Sequence, residues 1–285
     1  MPSGNIKINK PPPTPIVGPP PKSVKYKDVK HTIMVMSGKG GVGKSTVSVN
    51  LAVSLARDGK SVGLIDADIN GPDDPKLLGV DKESVQVKDN MILPVHSKYG
   101  VDVISMAFMI PSEDTAIIWR GALRHKAIQQ FLEDVSWGAR DYVILDLPPG
   151  TGDEALTVAQ LVPVVDGVVI VITPQEVALL DAKKAMNFAS QLKLPILGIV
   201  ENMSGFVCPH CGKTTNIFKK GGGQEAASKY GVPFLGRIPL VPEVVDNSDK
   251  GVPAYTVSEI LKKSFDEIKD NLEKQLVNAR SGRTP

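Results

Sequence analysis

The sequence has 285 residues, of which 42% are hydrophobic and 22% are charged, and a formal net charge of +2. A chain of this length buries about three quarters of its unfolded surface, so it needs neither disulfides nor a structural metal to form a core, and its composition excludes wholesale disorder. The first thirty residues hold six lysines and one aspartate. The rest of the chain is therefore slightly acidic, which argues against a nucleic acid as its main partner.

Membrane and secretory signals are not found in this sequence. The most apolar stretch, residues 161–173, is interrupted by Pro163 and Asp166 and is shorter than the roughly 20 residues that cross a bilayer. The N-terminal region lacks the continuous apolar core of a secretory signal. The only two cysteines stand in one loop, which excludes a disulfide scaffold and favours reduced thiols. We therefore predict a cytoplasmic protein with no membrane partner.

The chain begins with a segment rich in proline and lysine. Seven of the eleven residues from 11 to 21 are prolines, which favours polyproline II and excludes the interior of a helix or sheet. We predict a flexible arm over residues 1–28, one domain over residues 29–280 and a short tail over residues 281–285. No internal repeat or second change of composition divides the predicted domain.

From residue 31 onward, short β-branched runs alternate with helical periods. Most of the runs are continuously apolar, as expected for parallel strands covered on both faces. This alternation predicts an α/β fold, an open and mostly parallel sheet with helices on both faces and functional loops at the carboxyl ends of the strands. The predicted strands are 31–37, 61–66, 101–106, 141–146, 167–173, 195–201 and 233–238; the predicted helices are 44–58, 120–135, 154–161, 177–192, 224–230 and 257–278; residues 85–96 are predicted as an edge hairpin.

The first predicted strand runs into a phosphate-binding loop, residues 38–46. Its sequence GKGGVGKST matches G-x-x-x-x-G-K-[ST] between a strand and a helix. Glycines let successive backbone amides face a phosphate, and the helix N-terminus adds a favourable dipole. Lys44 is predicted to neutralise the β- and γ-phosphates, and the Ser45 hydroxyl to ligate Mg²⁺. The predicted nucleotide-binding residues of this loop are Gly38, Lys39, Gly40, Gly41, Val42, Gly43, Lys44, Ser45 and Thr46.

Two further predicted strands end in carboxylates. Asp66 and Asp68 are two residues apart, so their side chains can face the same ligand. Asp146 closes an apolar run as in a Walker B motif, where the carboxylate anchors Mg²⁺ through water. The segment that follows, residues 148–153 (PPGTGD), contains two glycines that permit the backbone to move when a γ-phosphate leaves.

Cys208 and Cys211 form a C-x-x-C pair, whose two thiols can bind one metal atom. Zn²⁺ and a [4Fe–4S] cluster usually take four ligands, so two chains sharing the metal, a redox dithiol, or help from His210 all remain open. A redox pair prefers the start of a helix, whereas the flanking residues here resemble a metal-binding knuckle. The ligand count favours a shared iron–sulfur cluster over shared zinc, and both over redox or structural thiols.

The second lysine of the phosphate loop, Lys39, gives the loop the form K-G-G-x-G-K-[ST]. This form resembles the deviant loop of the dimeric ATPases that include Mrp/ApbC proteins, the nitrogenase iron protein, MinD and ParA. Residues 66–72, 119–121, 146–153, 201–212, 221–223 and 235–239 extend the resemblance to the Mrp/ApbC (Nbp-type) iron–sulfur cluster carriers over about residues 31–255. Asp73 stands where that family has serine, a change that can slow turnover or alter nucleotide preference.

The resemblance implies a homodimer with ATP between its subunits. It implies that Lys39 reaches the partner's nucleotide and that Asp68 positions or deprotonates the attacking water, which makes Lys39, Lys44 and Asp68 the catalytic residues. Asp66 is expected to support Mg²⁺ together with Ser45 and Asp146. Asn202 is expected to bond the adenine, and the loop around Pro239 to close over it.

We therefore expect an ATP-hydrolysing carrier that holds one [4Fe–4S] cluster between Cys208 and Cys211 of two subunits and delivers it to apo-proteins. The arm contains no cysteine, so we expect no second cluster. The alternatives are a zinc-bridged dimeric ATPase and a MinD/ParA-like positioning ATPase. Membrane-bound positioning ATPases use a basic amphipathic C-terminal helix, whereas residues 258–280 carry mixed charges and are expected to pack on the body. A nitrogenase-iron-protein-like reductase uses single cysteines far apart, unlike this pair.

Overall fold

A computed structural model describes residues 28–109, 128–129, 132–162, 164–175, 177–208 and 210–281. The predicted arm falls outside the described residues except for residue 28. The same is true of most of the predicted helix 120–135, of residues 119–121 and of residues 282–285.

Eight of the described strands form one central sheet. The described strands are β1 Val29–Met36, β2 Val62–Asp66, β3 Gln86–Lys88, β4 Met91–Leu93, β5 Val95–His96, β6 Val101–Ser105, β7 Arg140–Asp146, β8 Gly167–Ile172, β9 Ile196–Glu201, β10 Phe206–Val207, β11 Thr214–Thr215 and β12 Phe234–Arg237. The order in the central sheet is β12-β9-β8-β1-β7-β2-β6-β5, and β3–β4 and β10–β11 form separate antiparallel pairs. Neighbouring strands of the central sheet are parallel, except for β5 beside β6.

Helices cover both faces of this sheet, as predicted. On β1, Met34 and Met36 belong to one apolar layer and Ile33 and Val35 to the other, and all four are fully buried. A strand covered on both sides has no polar face, which explains the continuous apolar runs. The helices are α1 Lys44–Arg57, α2 Asp74–Leu77, α3 Asp153–Leu161, α4 Val177–Gln191, α5 Gly222–Tyr230, α6 Glu243–Ser248 and α7 Glu259–Ser281, with 3-10 helices at Met106–Met109 and Ala254–Thr256.

The C-terminal helix α7 packs on the body of the protein, which confirms that expectation. Leu261, Phe265, Ile268, Leu272 and Leu276 follow the helical period and are buried in the same apolar layer as α1. None of the described helices is both long enough and apolar enough to cross a membrane.

The predicted hairpin within residues 85–96 is present, but it forms a separate two-stranded sheet and does not join the edge of the central sheet. Strands β3 and β4 pair across Asp89 and Asn90, which both have positive φ, as a tight two-residue turn requires. Strand β5 then joins the main sheet antiparallel to β6. The short helices α2 and α6 and the β10–β11 hairpin are not predicted by the sequence pattern.

Sheet register brings the polar strand ends together. Asp146 of β7 lies opposite Val35 of β1 on one side and opposite Asp66 of β2 on the other. The phosphate loop leaves the carboxyl end of β1, so it begins beside both carboxylates. This edge of the sheet is the place where the fold assembles the predicted nucleotide site.

Candidate nucleotide site and cysteine loop

The phosphate loop joins β1 to α1, which begins at Lys44. Gly41 and Gly43 have φ angles of 75° and 79°, a region that side chains other than glycine rarely adopt. A Cβ at Gly43 would also collide with the amide nitrogen of Asn202. Residues 39–46 line a cavity of about 330 Å³, a volume within the usual range for small ligands.

Lys44 is buried beside Asp146 at the floor of this cavity. Its ammonium contacts Asp146 Oδ2, and the hydroxyls of Ser45 and Ser48 donate to Asp146 Oδ2 and Oδ1 at 2.7 and 2.5 Å. Burial lowers the pKa of Lys44, but the charge of Asp146 and the hydrogen bond to it outweigh burial and raise the pKa overall. Lys44 therefore keeps its positive charge next to the space where phosphates would bind.

Asp66 is fully buried next to these groups. The Ser105 hydroxyl and the backbone amides of Asp68 and Asp74 donate to its carboxylate at 2.9, 3.1 and 3.3 Å. Burial, followed by the negative charge of Asp146, raises the pKa of Asp66 to about 8 in spite of these hydrogen bonds. The predicted magnesium-supporting carboxylate therefore lies in a site with an excess of negative charge.

Asp68 lines the cavity and is only 9% exposed. Its carboxylate accepts hydrogen bonds from the amides of Asn70 and Gly71 at 3.0 and 3.2 Å, which fix its direction. Burial raises its pKa. A carboxylate held at the wall of the cavity is suited to accept a proton from water, the role that the sequence resemblance implies.

Lys39 lines the same cavity, but its ammonium pairs within its own chain. It lies 3.3 Å from Asp181 Oδ2 on α4. A Cβ at Gly38 would collide with the carbonyl oxygen of Asp181, so the loop and α4 are in close contact. The predicted contact of Lys39 with a partner's nucleotide requires this ion pair to open.

The sequence draws attention to Asp73, yet Asp74 is the buried acid. Asp73 is exposed at the cavity, whereas Asp74 is fully buried, and no described residue donates a hydrogen bond to either oxygen of its carboxylate. Oxygen atoms of Asp66, Asp74 and Asp146 all lie within 4.8 Å of one another. We refer to these three residues as the carboxylate cluster. Pro75, in the first turn of α2, is a sequence signal of a helix start.

Asn202 follows β9 and contacts the phosphate loop directly. Its side-chain amide donates to the carbonyl oxygen of Val42 at 2.9 Å. Pro239 lies in a neighbouring loop, where Ser204 and Leu240 form backbone hydrogen bonds across the two segments. Asn202 and Pro239 therefore lie on segments that are bonded to each other beside the nucleotide cavity, and their contact with adenine stays a prediction.

The two cysteines stand at the tip of the β10–β11 hairpin, within residues 203–220, which we call the cysteine loop. Val207 pairs with Thr214, and the next residue, Cys208, is half-buried, whereas Cys211 is exposed. The Gly212 amide donates to the Cys208 carbonyl at 2.9 Å and closes the turn. Both thiols are free, and both are therefore available to a ligand at the surface.

The local turn favours the thiolate form of Cys208. Backbone amides of Cys211 and His210, and the Cys211 thiol, donate toward the Cys208 sulfur and lower the pKa of its thiol. Thiolates are the form in which cysteine binds metals.

Glu201, the last residue of β9, ties both ends of the cysteine loop together. It is fully buried and accepts hydrogen bonds from the Ser204 hydroxyl and from the amides of Gly221, at 3.1 Å, and Gly223. Arg237 Nε lies 3.5 Å from the same carboxylate. Glu201 carries the same sequence signal as Asp146, an apolar strand that ends in an acid. Its role could not be predicted from this signal, because that role depends on neighbours distant in sequence.

Comparison with known proteins matches residues 28–273 to the family model of NUBPL iron-transfer P-loop NTPases in the ParA group. A protein of Methanocaldococcus jannaschii named iron-sulfur cluster carrier protein is 50% identical over 86% of this chain and 86% of its own length. A protein of Nematostella vectensis named cytosolic Fe-S cluster assembly factor NUBP2 homolog is 46% identical over 79% of this chain and 85% of its own length.

Solved structures give the same result. A nucleotide-binding protein of Archaeoglobus fulgidus in complex with ADP is 41% identical, with a TM-score of 0.73 over 84% of this chain and 93% of that one. MinD of Pyrococcus horikoshii, at 20% identity and a TM-score of 0.65 over 87% of this chain and 98% of that one, shares the fold. The α/β fold and the family resemblance predicted from the sequence are thus confirmed, and the chain belongs to the NUBPL iron-transfer family of ParA-type P-loop NTPases.

Proposed function

We propose that this protein is an ATP-binding and ATP-hydrolysing carrier of [4Fe–4S] clusters. The observation that carries the proposal is a pair of free thiols, Cys208 and Cys211, at the tip of a hairpin whose base contacts the nucleotide site. The names of the relatives, iron-sulfur cluster carrier protein among them, support the same conclusion.

The cluster is cargo, and two chains hold it. A [4Fe–4S] cluster takes four thiolates, and Cys208 and Cys211 supply two from each chain. The position of both thiols at the tip of the hairpin supports this arrangement, because two hairpin tips can meet without unfolding. Release to an apo-protein client then needs only a small separation of the two loops. The homodimer and its clients are part of the proposal.

ATP occupies the cavity of the phosphate loop in this proposal. Lys44 leaves Asp146 for the β- and γ-phosphates, and the loop amides surround them. Ser45, Asp66 and Asp146 fit Mg²⁺, because they offer only hard oxygen atoms close to one another. When bound, Mg²⁺ neutralises charge on the phosphate oxygens.

Asp68 and Lys39 are the remaining catalytic groups. Asp68 accepts a proton from the attacking water while the water oxygen bonds to the γ-phosphorus. The bond between the γ-phosphorus and the β–γ bridging oxygen then breaks and releases ADP. Lys39 leaves Asp181 to stabilise charge on the nucleotide of the partner subunit. Because Lys39 pairs with Asp181 within its own chain, this ion pair has to open before Lys39 can reach the partner's nucleotide.

The two sites are coupled through consecutive residues. Asn202 bonds the phosphate loop, and its neighbour Glu201 holds both ends of the cysteine loop. Nucleotide that moves Asn202 therefore also moves the base of the hairpin. ATP and the cluster each shift the equilibrium between closed and open dimers by their differential affinity.

A MinD-like positioning role has less support. The MinD structures share only the fold at this identity, and the apolar side chains of α7 are buried within the chain. Nothing in a positioning role calls for Cys208 and Cys211. We propose a cytoplasmic location, because the Nematostella relative is named as a cytosolic assembly factor.

Anaerobic reconstitution with iron and sulfide tests the proposal. The purified protein should form a dimer that gains the broad visible absorption of an iron–sulfur cluster, with four irons per two chains. A protein that holds zinc and takes up no iron would instead be a zinc-bridged ATPase, and the carrier proposal would be wrong.

The coupling needs a second experiment. Cluster transfer to an apo-protein is timed with and without Mg·ATP, for the wild type and for Lys44→Ala. We expect ATP to change the rate of the wild type alone. Equal rates in all four reactions would remove the coupling and leave a carrier that binds nucleotide for another reason.

A further inference from the structure

The carboxylate cluster carries more negative charge than the described side chains around it neutralise. Asp66, Asp74 and Asp146 are at most 1% exposed, and Lys44 is the basic group whose charge acts on all three. A cation that binds here displaces protons and holds all three carboxylates ionised, and Lys44 then leaves two negative charges uncompensated. That excess is the charge of one divalent cation.

Asp74 differs from the other two carboxylates of the cluster in its hydrogen bonding. Ser45, Ser48 and Lys44 satisfy Asp146, and Ser105 with two backbone amides satisfies Asp66. Asp74 receives no hydrogen bond from the described residues, although it is fully buried. A buried carboxylate without a partner is destabilising when it is ionised. A bound cation removes this destabilisation, because it supplies charge directly to both unpartnered oxygens.

We propose that Asp74 completes a divalent cation site with Asp66 and Asp146 that fills before nucleotide binds. The three oxygen atoms lie within 4.8 Å of one another. Ligands on opposite sides of a cation are about 4.2 Å apart for Mg²⁺ and about 5 Å apart for Ca²⁺, given their usual bond lengths. Hard carboxylate oxygens without nitrogen or sulfur select Mg²⁺ or Mn²⁺ over softer metals.

The consequence is that the metal does not have to arrive with ATP. When Lys44 moves to the phosphates, the cluster loses the ammonium that neutralises it, and the cation already present takes its place. This inference rests on the proposed nucleotide site but is independent of cluster transfer.

Mn²⁺ binding without nucleotide is the test, measured by electron paramagnetic resonance on wild-type protein, Asp74→Asn and Asp81→Asn. Asp81 is an exposed acid seven residues away, so Asp81→Asn removes the same charge outside the cluster. We expect one Mn²⁺ per chain in the wild type and in Asp81→Asn, and an affinity at least about tenfold weaker in Asp74→Asn. Wild-type protein that binds no Mn²⁺, or an Asp74→Asn variant that binds it equally well, would overturn the proposal.

Thermal unfolding provides a readout that does not depend on metal affinity alone. Without metal, Asp74→Asn should be at least as stable as the wild type, because it removes the repulsion of Asp74 by Asp66 and Asp146. Added Mg²⁺ should raise the Tm of the wild type and leave that of Asp74→Asn unchanged. Equal shifts in both proteins would contradict the inference. ATP binding by Asp74→Asn is measured separately by calorimetry, and it shows whether the nucleotide site of the variant is intact.

Discussion

The nucleotide site and the cysteine loop differ in how much of each one chain supplies. Asp146 accepts bonds from a lysine and two serines inside the sheet edge, and the phosphate loop is fixed on both sides. Cys208 and Cys211 stand on a hairpin of two-residue strands with both thiols free. It follows that one chain preforms the phosphate site and offers only half of a four-thiolate site. Substitutions should therefore separate the two sites cleanly.

The largest effect is expected at the cysteines. Cys208→Ala or Cys211→Ala removes two of four ligands from a symmetric dimer, so neither variant should retain iron after reconstitution. Both should bind ATP as the wild type does, because the phosphate loop keeps its contacts. Iron analysis and calorimetry measure the two properties. His210→Ala is the control, and loss of iron in this variant to the same extent would show that the site is not built from thiolates alone.

The two lysines of the phosphate loop should differ from each other. Lys44→Ala removes a buried charge from the phosphates and should weaken ATP binding by about a hundredfold or more. Lys39→Ala should leave binding nearly unchanged and reduce hydrolysis at least about tenfold, because its contact forms in the closed dimer. Calorimetry and phosphate release distinguish these effects. Equal losses of affinity would mean that Lys39 acts within its own chain.

Glu201 should have a smaller effect, shared between the two sites. Glu201→Gln removes the charge that holds the loop amides and should cost about 2 kcal/mol of stability. Hydrogen exchange should increase over residues 203–220 while the phosphate loop stays protected. Glu225→Gln, at an exposed acid on α5, is the matched control. Unchanged exchange in Glu201→Gln would show that the hairpin is held by its other contacts.

The smallest effect on function is expected from a pH dependence of stability, which belongs to the nucleotide site. Asp66 has a pKa of about 8 when folded and an ordinary value near 4 when unfolded. Between these values the folded state binds more protons, so stability without metal or nucleotide should fall as the pH rises from 5 to 8, by up to about 1.4 kcal/mol per pH unit. Denaturant titrations measure this slope. Asp66→Asn should reduce this slope, whereas Cys208→Ala should leave it unchanged. Stability that rises with pH over this range would contradict the assignment.

The elements of the fold and the site residues that could be predicted from sequence are those that a residue's own chemistry or its local spacing indicates. The apolar runs predict parallel strands because both faces are covered, and Lys44 and Asp146 stand out within motifs that phosphate and magnesium require. Asp74, Asp181 and Glu201 were not predicted, because their roles come from burial and from partners far along the chain. Two adjacent acids look alike in sequence, and only the start of α2 turns Asp74 inward while leaving Asp73 exposed.

The position of β1 has a consequence for synthesis of the protein. It is the first strand in the chain but lies in the middle of the sheet, between β7 and β8. Its contacts span 111 residues to Asp141 and 134 residues to Asp166. At about 5–20 residues per second, β1 waits roughly 6 to 27 seconds on the ribosome before these partners are synthesised. An apolar strand left unpaired for so long is a target for chaperones, and nucleotide can assist folding only after the second half of the sheet has emerged.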